Sequence, residues 1–204
     1  MTVLTVADFE NVAEQSGALI LDTRANGDFA KGFIPQSINI GINGDFAPWV
    51  GAMIVDVNQP ILLVTEVDME EETVTRLSRV GFDNVLGYLQ GGFSSWKDAE
   101  KEIDTVNRIT ATEFASQIEG KEAMVIDVRK ESEYAAEHVE DAYSKPLAYI
   151  NDWVNDIDPK QPFYLHCAGG YRSMIAASIL QARGYRNFIE IEGDYMNELE
   201  EFCK

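Results

Sequence analysis

The sequence predicts an α/β protein made of two similar halves, each a three-layer unit with a parallel sheet and helices on both faces. Short apolar segments alternate with segments of helical pattern, and such alternation is typical of parallel sheets covered on both sides. The order of segments in the first half recurs in the second half. The 204 residues suffice for two domains of about 100 residues, a common domain size. We therefore expect domains at 1–103 and 104–204.

The repeat is visible in the residues themselves. Residues 4–9 match residues 109–114, residues 19–24 match residues 124–129, and residues 80–85 resemble residues 183–188. Self-similarity at a fixed spacing is the mark of repeated structural units. A polar segment at 101–106 separates the two copies.

Each half begins with a capped helix. Thr5 and Thr110 are expected to be N-cap residues, and Asp8 and Glu113, three positions on, complete the pattern of a capping box. An apolar strand follows and ends in Asp-x-Arg. A polar turn, a second apolar segment, a helix, a strand, a loop and a long helix then complete the half.

Composition limits the class of protein. Hydrophobic residues make up 46% and aromatic residues 10% of the chain, so each half can bury a core. The 35 acidic and 16 basic residues give a net charge of −19, which repels nucleic acid and anionic membranes. The start of the chain does not resemble a secretion signal, and no run of 18 apolar residues occurs. With two cysteines in unlike contexts, we expect a cytoplasmic protein in a reducing compartment.

The segment from His166 to Ser173, which reads His-Cys-Ala-Gly-Gly-Tyr-Arg-Ser, is the strongest functional signal. It joins a predicted strand at 162–165 to a predicted amphipathic helix at 174–183. A thiol at the start of a helix meets free backbone N–H groups and the positive end of the helix dipole, which favour a thiolate and hold added negative charge. Gly169 and Gly170 are expected to leave room around the sulfur of Cys167, and Arg172 offers a positive fork to an oxyanion.

The neighbouring signals are weaker. Cys203 lies close to an acidic terminus, so we expect it to be inert. His166 precedes the cysteine in an extended segment, and its side chain should point to the opposite face. A structural or orienting role for His166 is therefore favoured over catalysis. Asp127 and Arg129 end a strand, and the hypothesis that they pin the loop is favoured because Asp22 and Arg24 repeat them in the half that lacks the cysteine.

Taken in order, these motifs resemble the rhodanese family of sulfurtransferases over the whole chain. The second half is the better match, through its Asp-Val-Arg segment, Glu133-Tyr134, His138-Val139 and the loop at 167–172. The resemblance implies that Cys167 is the nucleophile, which carries a persulfide, and that Arg172 orients an anionic donor. It also implies a small anionic sulfur donor, a thiol or cyanide acceptor, and no metal or organic cofactor. The residues that it assigns to substrate binding are Ala168, Gly169, Gly170, Tyr171 and Ser173, and those that it assigns to structural support are Asp127, Arg129 and His138.

Two alternatives compete with sulfur transfer. Related phosphatases and arsenate reductases have a loop one residue longer than the six residues from Cys167 to Arg172, which favours sulfur transfer. The alternative to an enzyme is a docking or redox-sensing module that keeps Cys167 as a relic or as an oxidation sensor. For His138, a pocket role and simple packing both stay open.

The first half departs from the family pattern. Glu66 is expected at the position equivalent to Cys167, and a carboxylate cannot accept sulfur as a nucleophile. This half is expected to be catalytically silent, with a structural or docking role. The second half departs at Gly193-Asp194-Tyr195, where the first half has Gly91-Gly92-Phe93. The tandem arrangement is also similar to rhodanese repeats fused to metallo-β-lactamase-like hydrolases or persulfide dioxygenases, so such a domain is a candidate partner in a longer protein.

Overall fold

The computed structural model describes residues 1–118 and 122–193. The chain forms two compact units, Met1–Thr105 and Val106–Lys204. Each unit holds a five-stranded parallel sheet flanked by helices, which confirms the predicted α/β class. The predictions for Asp194, Tyr195 and Cys203 concern positions outside the described residues.

The first unit has the strand order β1-β5-β4-β2-β3, and every pairing within the sheet is parallel. Strand β4 lies in the middle, between β5 and β2, and all four of its residues are buried, as expected for a strand covered on both faces. The elements are β1 Val3–Leu4, α1 Val6–Ser16, β2 Leu19–Asp22, α2 Asn26–Lys31, β3 Ile38–Asn39, α3 Phe46–Met53, β4 Ile61–Val64, α4 Glu70–Ser78, β5 Val85–Leu89 and α5 Gly92–Asp98.

The second unit repeats this topology with the strand order β6-β10-β9-β7-β8. One short helix is flanked by 3₁₀ turns at Leu147–Tyr149 and Val154–Asp156. The elements are β6 Arg108–Thr110, α6 Ala111–Ile118, β7 Val125–Asp127, α7 Glu131–Ala136, β8 Tyr143–Ser144, α8 Ile150–Trp153, β9 Phe163–His166, α9 Tyr171–Ala182 and β10 Phe188–Glu192.

The two predicted helix caps are confirmed. The Thr5 hydroxyl accepts the Asp8 N–H at 3.2 Å, and the Thr110 hydroxyl accepts the Glu113 N–H at the same distance. In the second unit the Glu113 carboxylate also accepts the Thr110 N–H at 2.8 Å, which completes a capping box. These contacts fix the entry into α1 and α6.

The helix after the cysteine differs from the prediction in two ways. Helix α9 begins at Tyr171, three residues before the expected start, so Arg172 and Ser173 belong to its first turn. It is also buried on nearly all sides, from Ser173 to Gln181, and it is therefore not amphipathic. The segment 174–183 contains small alanines and serines, which allow close packing on every face of the helix. The prediction considered only one apolar face.

The sheet brings the predicted site residues to one edge. Asp127 at the end of β7 pairs in register with His166 at the end of β9. Since the carboxyl ends of parallel strands meet at the same edge, the segments that follow them converge there. The loop with Cys167 and the turn with Arg129 are thus neighbours.

Candidate active site

Cys167 lies at the first position after β9, in the loop that leads into α9. Its side chain is buried, with 2% of its surface exposed. The Gly170 N–H donates to the sulfur at 3.2 Å, and the sulfur lies 3.3 Å from the Ser173 hydroxyl. The sulfur therefore faces the first turn of a 12-residue helix, where backbone donors and the helix dipole stabilise negative charge.

The two glycines of the loop have different reasons to be there. Gly170 is the N-cap residue of α9 and has a φ of 80°, in the left-handed region that favours glycine. At Gly169 an added Cβ would meet no atom within 4 Å. The expectation that both glycines make room for the sulfur is therefore wrong at Gly169, because a side chain at this position would extend into open space.

Arg172 is engaged by a partner that the sequence analysis did not identify. Its two terminal nitrogens donate to the two carboxylate oxygens of Glu133 at 2.6 and 2.9 Å. Hydrogen bonding from Arg172 lowers the pKa of Glu133 to about 2, so the carboxylate is ionised at neutral pH. Glu133 also accepts the Lys130 N–H at 3.1 Å, so one side chain caps α7 and holds the arginine. Any anion that binds this guanidinium must compete with Glu133 for it.

Asp127 and Arg129 make the contacts that the pinning hypothesis requires. The Arg129 Nε donates to both Asp127 oxygens at 3.0 and 2.9 Å, and its terminal nitrogen donates to the Glu137 carbonyl at 2.8 Å. The first unit repeats the arrangement, with Arg24 bound to Asp22 and to the Gly32 carbonyl at 2.9 Å. A pair present in both units does not depend on the cysteine.

His166 is fully buried beside the loop. Its Nε2 lies 3.8 Å from an Asp127 oxygen, and its Nδ1 lies 3.4 Å from the Cys167 carbonyl oxygen. Burial lowers the pKa of His166 to about 4, so the ring is neutral at physiological pH. These positions place His166 against the backbone of the loop, and its favoured orienting role stays a prediction.

His138 packs against helix α7, which ends two residues before it. Its ring stacks on Tyr134 with centroids 3.9 Å apart and 14° between the planes. Its Nδ1 lies 2.8 Å from the Tyr134 carbonyl oxygen. Both contacts are local, and they favour packing over a pocket role.

A buried polar chain behind the cysteine was missed by the sequence analysis. The Ser173 hydroxyl, itself fully buried, donates to Glu190 at 2.5 Å. The second oxygen of Glu190 accepts the Arg108 Nε at 2.6 Å. A signal was present in the sequence, because Glu190 is the one charged residue inside the apolar run from Phe188 to Ile191.

The equivalent place in the first unit holds a different residue from the one expected. Asp22 pairs with Val64 as Asp127 pairs with His166, so the residue that follows the strand, Thr65, matches Cys167. Glu66 comes one position later, and its assignment to the cysteine position is wrong. Matching by sequence failed because the loops between strand and helix differ in length in the two units.

Across 1–118 and 122–193, no group of three or more His, Cys, Asp or Glu side chains is placed to hold a metal ion. Within the same residues, no helix combines the length and the apolar character needed to cross a membrane.

Comparison with known families decides the classification. The model of the rhodanese-like domain matches residues 5–99 and again residues 110–199. The chain belongs to the rhodanese family. Both rhodanese-like domains coincide with the repeated halves seen in the sequence.

Individual relatives of these rhodanese-like domains are distant. The chain is 28% identical over 83 residues to the thiosulfate sulfurtransferase of Pseudomonas fluorescens, covering 41% of this chain and 76% of that protein. It is 30% identical over 81 residues to the tRNA sulfurtransferase of Thermoplasma acidophilum, covering 40% of this chain and 16% of that protein. The chain spans between 16% and 51% of the length of the first three curated relatives that it matches.

Among solved structures, thiosulfate sulfurtransferase from Pseudomonas aeruginosa aligns with all of this chain and 43% of its own, with 18% identity and a TM-score of 0.44. A rhodanese-like domain protein from Staphylococcus aureus aligns with 45% of this chain and 89% of its own, with 30% identity and a TM-score of 0.41.

Proposed function

We propose that this protein is a sulfurtransferase that carries sulfane sulfur as a persulfide on Cys167. The donor is thiosulfate or a small persulfide, and the acceptor is a thiol or cyanide. The observation that carries the proposal is the position of the Cys167 sulfur at the start of α9, where the Gly170 N–H points at it from 3.2 Å. Family membership and the relatives named as thiosulfate sulfurtransferase or tRNA sulfurtransferase support the same class of reaction.

The first step loads the sulfur. The Cys167 thiolate attacks the outer sulfur of the donor, so a new S–S bond forms while the old one breaks. Sulfite leaves from thiosulfate, or a thiolate leaves from a persulfide, with the bonding electron pair. The Gly170 N–H and the helix dipole stabilise the negative charge that then lies on the outer sulfur.

The second step unloads it. A thiolate or cyanide attacks the outer sulfur, and Cys167 leaves as a thiolate, which restores the starting state. A nucleophile that carries a group between two reactants gives ping-pong kinetics. In the free protein Arg172 donates to Glu133 at 2.6 and 2.9 Å. The anionic end of the donor displaces Glu133, and Arg172 then holds the donor.

The burial of the cysteine restricts the donor. Because only 2% of Cys167 is exposed, the outer sulfur of a donor must be a terminal, unhindered atom in order to reach the thiolate. Thiosulfate and persulfides both do so, since their outer sulfur carries no further substituent.

The first unit has a structural or docking role in this proposal. Thr65, at the place of Cys167, is buried, with 3% of its surface exposed. A hydroxyl is a weak nucleophile unless a neighbouring base activates it. We therefore assign turnover to the second unit alone.

The setting of the protein is also proposed. A reactive thiol is best kept in a reducing compartment, which favours the cytoplasm. Nucleic acid and membranes remain unfavourable partners for a chain of net charge −19. Association with a metallo-β-lactamase-like hydrolase stays a prediction from the resemblance, since both matched segments are rhodanese-like domains.

A turnover assay tests the proposed function. Release of thiocyanate from thiosulfate and cyanide is measured for the wild type, for Cys167→Ser and for Cys203→Ser, which removes the only other cysteine. We expect the Cys167→Ser protein to lose turnover and the Cys203→Ser protein to keep the wild-type rate. Full turnover by the Cys167→Ser protein would overturn the assignment. A wild type that transfers no sulfur from any donor but oxidises at Cys167 with peroxide would instead be a redox-sensing module.

A further inference from the structure

The buried chain behind the cysteine runs from the sulfur to a charged pair. The Cys167 thiol donates to the Ser173 hydroxyl at 3.3 Å, and that hydroxyl donates to Glu190 at 2.5 Å. The other Glu190 oxygen accepts from Arg108 at 2.6 Å. The thiol and the hydroxyl thus both donate in the direction of the carboxylate, and Arg108 donates to the carboxylate from its other side.

The position of Glu190 is costly for a carboxylate. Its side chain has no exposed surface, and a buried charge lowers stability unless partners compensate it. The groups that face it are Arg108 on β6, Ser173 on α9 and Glu192 on its own strand. Burial raises the pKa of Glu190 above its ordinary value although Arg108 acts in the opposite direction. The carboxylate is therefore a better proton acceptor than an exposed glutamate.

The first unit provides an internal comparison. In the second unit Arg108 pairs in register with Glu190 between β6 and β10. At the equivalent pairing of β1 with β5, Val3 lies opposite Tyr88. The buried ion pair is thus present in the unit that has the cysteine and replaced in the unit that lacks it. Stability of the fold alone does not require the pair.

We propose that Glu190 is a positioning residue that takes the proton of the Cys167 thiol through the Ser173 hydroxyl. This inference rests on the proposed function, since it supplies the thiolate that attacks the sulfur donor. The S–H bond of Cys167 breaks as its proton moves to the Ser173 oxygen, and the original hydroxyl proton of Ser173 moves to the near oxygen of Glu190. The products are a thiolate and a neutral carboxylic acid, so the total charge is unchanged.

This exchange has a consequence for pH dependence. While the thiol and the carboxylate share one proton, the thiolate fraction is set by an internal equilibrium and does not change with pH. Without the carboxylate, the thiolate forms only by proton loss to solvent. Its fraction then falls about tenfold for each pH unit below the midpoint of that ionisation.

The test measures the alkylation of Cys167 by iodoacetamide as a function of pH, by mass spectrometry, in full-length proteins that all carry Cys203→Ser. The parent protein should show a plateau in rate over the pH range in which the thiol and the carboxylate together hold one proton. Glu190→Gln should lose the plateau and follow a single ionisation. Ser173→Ala should do the same, and it decides the matter if the Glu190→Gln protein fails to fold by circular dichroism.

The matched control is Glu192→Gln. Glu192 binds the same arginine at 3.1 Å, but 43% of its side chain is exposed, and the plateau should persist without its charge. Equal profiles in the parent, Glu190→Gln and Ser173→Ala proteins would overturn the inference. Alkylation needs no sulfur donor, so a plateau without sulfur transfer would remove the proposed function and keep the relay. Sulfur transfer by the parent protein, together with identical pH profiles of alkylation in the parent, Glu190→Gln and Ser173→Ala proteins, would keep the proposed function and remove the relay.

Discussion

At the scale of the residue, the ion pairs already present in the free protein determine which charges of the site are available to a ligand. In the proposed function Arg172 is the cation that binds the donor, and Glu133 holds both of its terminal nitrogens. Because the pKa of Glu133 is lowered to about 2 by this pairing, both members of the pair are charged at neutral pH. The affinity for the donor therefore depends on the difference in free energy between the ion pair of Arg172 with the donor and the ion pair of Arg172 with Glu133.

Glu133→Gln should make Arg172 more available to thiosulfate. The glutamine keeps one acceptor but loses the charge, and a hydrogen bond between charged groups contributes about 1.5–3 kcal/mol. We expect the KM for thiosulfate to fall on the order of tenfold, with little change in kcat. The measurement is steady-state thiocyanate release over a range of thiosulfate concentrations.

Glu131→Gln is the control, because it removes the same charge from an exposed position of α7. An equal effect of both variants would mean that only the general field matters. A rise in KM for Glu133→Gln would show that Glu133 aims the guanidinium instead of competing for it.

The residues of the loop could be predicted because they are contiguous in the sequence. Cys167, Gly170 and Arg172 lie within six positions. Glu133 and Glu190 could not be assigned to the site, because they reach it from 39 positions before Arg172 and 17 positions after Ser173. Only the packing of α7 and β10 against α9 brings these side chains to the loop.

At the scale of the element, α9 is the helix that holds the site in place. Nine consecutive residues, from Ser173 to Gln181, are buried. In α4 of the first unit, buried Leu77 accepts the Phe82 N–H as buried Leu180 accepts the Tyr185 N–H in the second. Counting back from these matched contacts, Ala177 corresponds to half-buried Val74. The same element is thus a central helix in one unit and a surface helix in the other.

Ala177→Leu should test this difference. Ala177 has no exposed surface, and added methylene groups in a packed core cost about 1–3 kcal/mol. Val74→Leu, at the matched half-buried position, should change the free energy of unfolding by no more than about 0.5 kcal/mol. Urea unfolding followed by circular dichroism measures both. Equal effects at the two positions would contradict the central placement of α9.

The start of α9 shows why element boundaries are harder to predict than element types. The sequence places an apolar helical pattern at 174–183, but Tyr171 and Arg172 are polar and give no apolar signal. The helix nevertheless begins at Tyr171. Gly170 in the left-handed region ends the loop, and helix geometry follows at once. The cap residue thus decides the boundary, and hydrophobic periodicity does not detect it.

At the scale of the whole molecule, two copies of one fold differ in the chemistry of one loop. The order of strands is the same in both units, and the Asp-x-Arg contacts repeat nearly atom for atom. The repeat and the fold were therefore predictable, since they follow from a pattern that appears twice. The equivalence of Thr65 with Cys167 was not, because it depends on strand register.

The intact mass of the protein after incubation with thiosulfate tests the central claim most directly. Three proteins are compared: the wild type, Cys167→Ser, and Cys167→Ser combined with Thr65→Cys. We expect the wild type to gain the mass of one sulfur atom, located at Cys167 by peptide mapping and removed by cyanide. The other two should gain none, because the first unit has a different loop after β4. A wild type without added sulfur from thiosulfate or glutathione persulfide, or sulfur gained by either variant, would contradict the account.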